Sequence, residues 1–312
     1  MRHWMQQTLR SLIDDSTMMT STTSAAGGQQ PRLAYSAKSG MMTTTLHAAW
    51  LELHKDGDTQ AFLDGCQHSS IVTLAAHGML RTFMSVTETN AWLGGGRMFV
   101  MSTEQVRTML RLQHGERLGR LLDVGAGDGN VTARMAPLFG EVTATEVASG
   151  MIARLRAFGY KTVETADLDA APELKNQTYD VVSLLNVLDR CDRPMTLLKQ
   201  LKKFIKPVTG LLLIAVVFPF RPFVEGGGLD AFPSLFNSFH LDGAGQRQPT
   251  EYLKIPGLSF EDACTQLEQN VLIPAGYQVV TLSRVPYLSE RYTNTLRPYC
   301  WLDDAIVVAK PI

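Results

Sequence analysis

Three glycines alternate with other residues directly after an apolar segment of the chain. The segment Leu121–Val124 is followed by Gly125, Gly127 and Gly129, in the sequence LLDVGAGDG. Glycine adopts positive φ angles and has no Cβ, so such a loop lets the backbone approach a bound ligand closely. The dinucleotide fingerprint requires its third glycine at position 130, where this chain has Asn130. The pattern therefore predicts a nucleotide-type ligand that is not a dinucleotide.

Four acidic residues stand where they could hold such a ligand. Asp123 and Asp128 belong to the glycine segment itself, and we expect them either to bind a ligand ammonium group or to order the loop. Glu146 ends the next apolar segment, nineteen residues after Gly127. An acid at about this distance accepts hydrogen bonds from ribose hydroxyls in nucleotide-binding folds. Asp167, in the sequence TADLD, would bind an adenine amine or remain a solvated loop acid.

Two further polar residues follow the apolar segment Tyr179–Leu185. Asn186 comes directly after it, and Asp189 follows three residues later. Ligands of open parallel sheets bind beyond the carboxyl ends of the strands, so we expect both side chains where a donor and an acceptor meet. A second interpretation of Asp189 is a helix-capping acid, or the partner of Arg190 or Arg193 in a salt bridge.

These residues need a scaffold of alternating strands and helices. Apolar runs predict strands at 120–124, 141–145, 179–185, 211–218, 277–284 and 304–309, and helical spacing predicts helices at 131–138, 150–158 and 195–205. Such alternation is typical of βαβ units. The predicted fold class is α/β, a Rossmann-like and mostly parallel sheet with a terminal antiparallel strand.

The N-terminal third has a different organisation. Residues 1–40 contain a Ser/Thr/Met/Gly-rich stretch without periodicity and predict a disordered or weakly ordered arm. Residues 41–105 show helical spacing and predict a helical cap packed on the domain formed by residues 106–312. Ser102 to Gln105 have the pattern of a helix N-cap with a first-turn acid.

Composition excludes several classes of function. The 29 basic and 30 acidic side chains leave a net charge of −1, which argues against nucleic-acid binding. The longest apolar run, Leu211–Phe218, is far shorter than the roughly 20 residues of a membrane-spanning helix. The 4 cysteines and 7 histidines are scattered without metal-ligand spacing, so no metal site is predicted.

The glycine pattern, with an acid two residues before the first glycine, resembles the cofactor loop of class I S-adenosylmethionine-dependent methyltransferases. A broader resemblance covers roughly residues 69–312. The chain is similar to the DREV methyltransferase-like family, whose characterised member methylates the pros nitrogen of histidine in His-x-His segments of proteins. The motifs that carry this similarity are LLDVGAGDGNVT, TATE, NVLDRCDRP, FPFRPFVE, SRVPYLSE and WLDDAIVVAKP.

The resemblance implies roles for particular residues. Glu146, Asn186 and Tyr287 correspond to contacts with S-adenosylmethionine, from which the reaction leaves S-adenosylhomocysteine. Asp189 corresponds to the acid at the acceptor histidine, where it would accept the tele N–H and leave the pros lone pair towards the methyl group. Arg284 and Tyr299 correspond to contacts with the protein or peptide substrate.

Departures and alternatives accompany the resemblance. This chain has Tyr299 followed by Cys300 where the family tends to carry two tyrosines. The family often begins with an apolar leader, which is not found here, so the sequence favours a cytoplasmic location, with the endoplasmic reticulum and the mitochondrion as alternatives. A small-molecule methyltransferase and a non-catalytic S-adenosylmethionine-binding protein are the alternative functions. The sequence does not specify an oligomeric state.

Overall fold

Six of the strands overlap the apolar runs that predicted them. The computed structural model describes residues 33–80, 96–222, 224–225, 246–291, 293 and 297–312. Its strands are β1 (Met98–Phe99), β2 (Leu118–Val124), β3 (Phe139–Glu146), β4 (Lys161–Glu164), β5 (Val181–Leu185), β6 (Leu211–Phe218), β7 (Val224–Glu225), β8 (Gln246–Arg247), β9 (Tyr277–Glu290) and β10 (Tyr299–Pro311). The six that the apolar runs predicted are β2, β3, β5, β6, β9 and β10.

One eight-stranded sheet has the order β1-β9-β10-β6-β5-β2-β3-β4, and β7 pairs with β8 separately. The pairs from β6 to β4 are parallel, whereas β10 is antiparallel to both β6 and β9. β9 therefore runs in the same direction as β6, and the carboxyl ends of β2, β3, β5, β6 and β9 meet at one edge. The predicted Rossmann-like sheet with a reversed terminal strand is confirmed.

β1 is a second reversed strand, antiparallel to β9 at the edge of the sheet. The sequence did not predict it, because a strand of two residues is too short to show a periodic pattern.

The helices are α1 (Thr44–Ala49), α2 (Gly57–Gly65), α3 (Ile71–Leu80), α4 (Thr103–Met109), α5 (Thr132–Met135), α6 (Ser149–Ala157), α7 (Pro194–Leu201) and α8 (Phe260–Leu267). α4 begins with the predicted cap: Ser102 Oγ accepts from the Gln105 amide at 3.0 Å, and Gln105 Oε1 accepts from the Ser102 amide at 2.9 Å. α8 was not predicted.

Among the described residues, every helix is too short or too polar to span a membrane.

The segment between residues 41 and 105 contacts the sheet through both backbone and side chains. The Leu51 amide donates to the Leu282 carbonyl of β9 at 2.8 Å. Leu46 is buried in the same apolar core as the central strands. Gln105 Nε2 donates to the His54 carbonyl at 2.8 Å, which joins α4 to the loop after α1. Residues 1–32 of the predicted arm and residues 81–95 lie outside the described residues.

Strands β5 and β6 are buried on both faces. Val181, Val182, Leu212, Leu213 and Ile214 have no exposed surface. Such strands read as continuous apolar runs because helices cover both faces of the sheet. Polar side chains can therefore reach a ligand only where the strands end, which places the site at their carboxyl edge.

Candidate active site

The glycine loop, which follows β2, packs against the end of β3 and the segment after β5. Gly125 has φ +71° and Gly127 has φ +56°, the left-handed region that favours glycine. A Cβ at Gly125 would lie only 2.8 Å from Val187 Cγ2. The amides of Gly125 and Ala126 both donate to the Thr145 carbonyl of β3 at 3.0 Å. The backbone path of the loop is thus set by its neighbours.

Asp123 links the start of the glycine loop to the neighbouring helix α5 and strand β5. Thr132 Oγ1 donates to Asp123 Oδ2, and Ser183 Oγ donates to Asp123 Oδ1, both at 2.6 Å. Burial raises the pKa of Asp123 to about 6, although the two hydroxyl donors lower it. Both carboxylate oxygens therefore bind neighbouring secondary structure, and of the two predicted roles this geometry favours ordering the loop.

Asp128 stabilises the glycine loop through hydrogen bonds to a residue two positions later. Its Oδ1 accepts from the Asn130 amide at 3.0 Å, and its Oδ2 accepts from Asn130 Nδ2 at 2.5 Å. Arg154 Nη1 on α6 lies 3.9 Å from Asp128 Oδ2. Asn130, the residue that breaks the dinucleotide fingerprint, is thus the partner that closes this turn.

Glu146 joins the end of β3 to the glycine loop. Its Oε2 accepts from the Gly127 amide at 3.0 Å, while its Oε1 accepts from the amides of Val147 and Ala148 at 2.7 and 3.2 Å. Each carboxylate oxygen has two acceptor positions, so Oε2 retains one for a ligand hydroxyl. Glu146 therefore orients the loop and can also bind a ribose.

We expect Glu146→Ala to weaken S-adenosylhomocysteine binding by about 1–3 kcal/mol, because amide and ligand donors lose their acceptor. Glu146→Gln, which keeps one oxygen, should lie between wild type and Ala. Isothermal titration calorimetry measures both. The matched control is Glu164→Ala, an exposed acid paired with Glu146 in the β3–β4 ladder. Equal affinity in wild type and Glu146→Ala would remove this residue from the cofactor site.

Asp167 is exposed and caps a short 3₁₀ turn, where its Oδ1 accepts from the Asp169 amide at 3.0 Å. Its predicted contact with an adenine amine stays a prediction.

Asn186 lies at the end of β5 with φ +55°, a conformation that asparagine tolerates better than most residues. Its backbone amide donates to the Ala215 carbonyl at 3.0 Å, and its Nδ2 donates to Asp304 Oδ2 at 2.9 Å. Sequence reasoning did not select Asp304, which lies within the WLDD motif. The available signal was the position of Asp304 at the start of the predicted strand 304–309.

Tyr287 and Met98 close the other side of the site. Tyr287 Oη donates to Met98 Sδ at 2.7 Å, and Met98 Cε lies 3.9 Å from the Cβ position of Gly127. Burial, with a smaller effect of the Asp304 and Asp189 carboxylates, raises the pKa of Tyr287 to about 12, although the Arg190 guanidinium lowers it. The structure thus brings β1, β9 and the glycine loop together.

Asp189 lies at the same edge with its side chain only 12% exposed. Arg190 Nε is 3.8 Å from Asp189 Oδ2, so the predicted ion pair is present. The Asp189 carboxylate raises the pKa values of both Tyr287 and Asp304.

Arg284 and Tyr299 lie on the opposite face of the β9–β10 pair from Tyr287. Successive side chains of a strand point to opposite faces, and Arg284 and Tyr287 are three residues apart in β9. Tyr299 pairs with Glu290, which is on the same face as Arg284. Arg284 binds Asp303 through two hydrogen bonds of 2.7 and 2.5 Å. The Tyr299 ring packs near Trp301, with 6.5 Å between centroids. The predicted contacts of Arg284 and Tyr299 with a substrate stay predictions.

Three solved structures illustrate the similarity to known proteins. The DhpI–SAH complex is 15% identical over 77% of this chain and 96% of that chain, with a TM-score of 0.42. An S-adenosylmethionine-dependent methyltransferase from Leishmania major is 15% identical over 76% and 82%, with a TM-score of 0.43. One from Aquifex aeolicus is 18% identical over 66% and 88%, with a TM-score of 0.36.

The family assignment rests on a wider match. The family model described as DREV methyltransferase matches residues 35–311, nearly the whole chain. The site fits the cofactor of such enzymes: the Gly125 position has no room for a side chain, and Glu146 retains an acceptor for a ribose. The chain belongs to the DREV methyltransferase family, and its cofactor is S-adenosylmethionine.

Proposed function

We propose that this protein methylates the pros nitrogen of histidine in His-x-His segments of protein substrates. The observation that carries the proposal is the position of Asp189. Its carboxylate follows β5 at the carboxyl edge of the sheet, is only 12% exposed, and raises the pKa of Tyr287, which lies across the site. A poorly hydrated carboxylate here is suited to accept one N–H of an imidazole and to orient the ring.

The chemistry needs orientation more than a strong base. Histidine has an unperturbed pKa of about 6.5, so much of it is neutral at pH 7. S-adenosylmethionine, when bound, supplies a methyl group on a positively charged sulfur. With the tele N–H donated to Asp189, the pros lone pair forms the new N–C bond while the S–C electron pair stays on sulfur. Asp189 stabilises the imidazolium, which then releases its tele proton to solvent.

A small heteroaromatic acceptor is the second candidate. The low exposure of Asp189 and Tyr287 favours it, since a small nitrogen ring can be enclosed as fully as a histidine side chain. The family match does not distinguish between the two acceptors.

The experiment uses labelled S-adenosylmethionine and three peptides that differ only at the acceptor. They carry His-Ala-His, Lys-Ala-Lys and Arg-Ala-Arg. Label in the first alone, with the methyl group on the pros nitrogen by tandem mass spectrometry, supports the proposal. Methyl on Lys, Arg or the tele nitrogen contradicts it, and label on free imidazoles alone favours the small-molecule candidate. Calorimetry with S-adenosylhomocysteine checks that the preparation binds its cofactor product.

We also propose that the described part of the segment 69–101 forms one wall of the substrate groove, within a cap of residues 41–105. Met98 supports this, because it contacts Tyr287 and approaches Gly127.

Met98→Ala removes that wall and leaves Tyr287 Oη without its acceptor. We expect the peptide KM to rise about tenfold, consistent with the 1–3 kcal/mol cost of an unpaired buried donor. The control is Met41→Ala, whose side chain is exposed. Steady-state kinetics at saturating S-adenosylmethionine separates KM from kcat, and an unchanged KM would show that Met98 only packs.

A further inference from the structure

Asp304 is a carboxylic acid in the middle of the sheet. It lies in β10 opposite Val217 of β6 and Val285 of β9, and its exposed fraction is 0%. An isolated carboxylate in such surroundings is strongly disfavoured, because burial removes its hydration. No cationic group among the described residues pairs with it.

Asp304 and Asn186 share one hydrogen bond, and each side chain keeps one oxygen without a partner. Asn186 Nδ2 donates to Asp304 Oδ2 at 2.9 Å. The other oxygen of each side chain, Asn186 Oδ1 and Asp304 Oδ1, is buried without a partner. Both atoms are acceptors when the acid is ionised, so they cannot satisfy one another. A proton on the Asp304 carboxyl group would supply the O–H donor for a second hydrogen bond, with Asn186 Oδ1 as the acceptor.

Nearby charges disfavour the ionised form as well. Burial raises the pKa of Asp304 well above its ordinary value, and the carboxylates of Asp189 and Asp303 act in the same direction. The Asn186 amide and the Val216 backbone oppose this only in part. The cations at these neighbours are already engaged, since Arg284 binds Asp303 and Arg190 lies beside Asp189. Tyr287 also faces Asp304, as a neutral phenol.

We propose that Asp304 is a positioning residue that stays protonated at neutral pH and locks the Asn186 side chain at the cofactor site. The amide N–H donates to one carboxyl oxygen, and the acid O–H bridges the two oxygens that otherwise lack a partner. The second hydrogen of Asn186 Nδ2 is left for a ligand acceptor. Ionising Asp304 removes the bridging proton and sets two acceptor oxygens against each other, so the amide is released. This inference rests on the proposed cofactor role of Asn186, and not on the histidine acceptor.

The test compares Asp304→Asn with Asp304→Leu. Asparagine supplies an N–H in place of the acid O–H and cannot ionise, whereas leucine has a similar volume and no hydrogen bond. Calorimetric titration with S-adenosylhomocysteine from pH 6 to pH 10 should show wild-type affinity falling about tenfold or more as Asp304 ionises, as expected for a lost buried hydrogen bond. Asp304→Asn should keep the low-pH affinity throughout, and Asp304→Leu should be weak at every pH. Asp303→Asn keeps Asp304 but removes a carboxylate that raises its pKa, so its affinity should also fall with rising pH, beginning at a lower pH than in wild type.

A second readout uses the protein without cofactor. A raised carboxyl pKa means that the native state retains a proton that the unfolded chain releases, so stability falls as pH rises from about 4 to the folded pKa. In thermal unfolding scans, the melting temperature of wild type relative to that of Asp304→Asn should therefore fall as the pH rises through this range.

Parallel pH curves for the two proteins would overturn the protonated state, and full affinity in Asp304→Leu would overturn the positioning role. If Asn186→Ala binds S-adenosylhomocysteine normally, the link to the cofactor is overturned. No measurement here uses a peptide, so failure of the histidine proposal leaves these results unaffected.

Discussion

Asp189→Asn should reduce turnover by about 10²–10⁴-fold, the usual effect of losing a positioned proton acceptor. Asparagine fills the same volume, but it cannot balance the imidazolium charge, and its amide can present a donor to the tele N–H. Affinity for S-adenosylhomocysteine should change little, because the cofactor loop is ordered by Asp123, Asp128 and Glu146. Single-turnover kinetics with the His-Ala-His peptide gives the rate, and calorimetry gives the affinity.

The matched control is Asp303→Asn, which alters a carboxylate on the opposite face of the β9–β10 pair. The pH profile adds a check, since wild-type activity should fall below about pH 6.5 as the peptide histidine becomes protonated. If Asp189→Asn instead weakens the cofactor and keeps full turnover at saturation, Asp189 belongs to the nucleotide pocket.

Gly125→Ala should nearly abolish cofactor binding, with a loss of affinity greater than tenfold. The new methyl group would stand 2.8 Å from Val187 Cγ2, a distance that forces the loop to move. The positive φ adds a cost of about 1–2 kcal/mol for any residue with a Cβ. Gly115→Ala separates the two effects, because Gly115 has φ +81° with no neighbouring atom within 4 Å of its Cβ position.

Both variants should therefore be destabilised in thermal unfolding, but only Gly125→Ala should lose S-adenosylhomocysteine. Adding Val187→Ala to Gly125→Ala removes the clashing methyl groups and should restore part of the affinity. Residues in direct contact show such non-additive behaviour, and a double-mutant cycle measures it. Equal affinities in Gly125→Ala and Gly115→Ala would show that close packing against Val187 is not what the cofactor loop requires.

Local patterns accounted for much of the fold. The strands at β5 and β6 follow from apolar runs, and the start of α4 follows from the Ser102–Gln105 capping box, because each depends on neighbours in sequence. α5 ends earlier than predicted, at Met135, and continues as a 3₁₀ turn that contains Pro137. Proline has no amide hydrogen for the helical ladder.

The sequence by itself determined the chemistry of the cofactor loop, since glycine conformation and the spacing to Glu146 are properties of the chain. The tertiary structure decided which distant side chains join that loop. Asp304 is 118 residues from Asn186, and Tyr287 is 189 residues from Met98. The first meeting depends on the register of β10 with β6, and the second on the pairing of β1 with β9. A shift of one residue would turn Asp304 and Tyr287 to the other face, because side chains alternate along a strand.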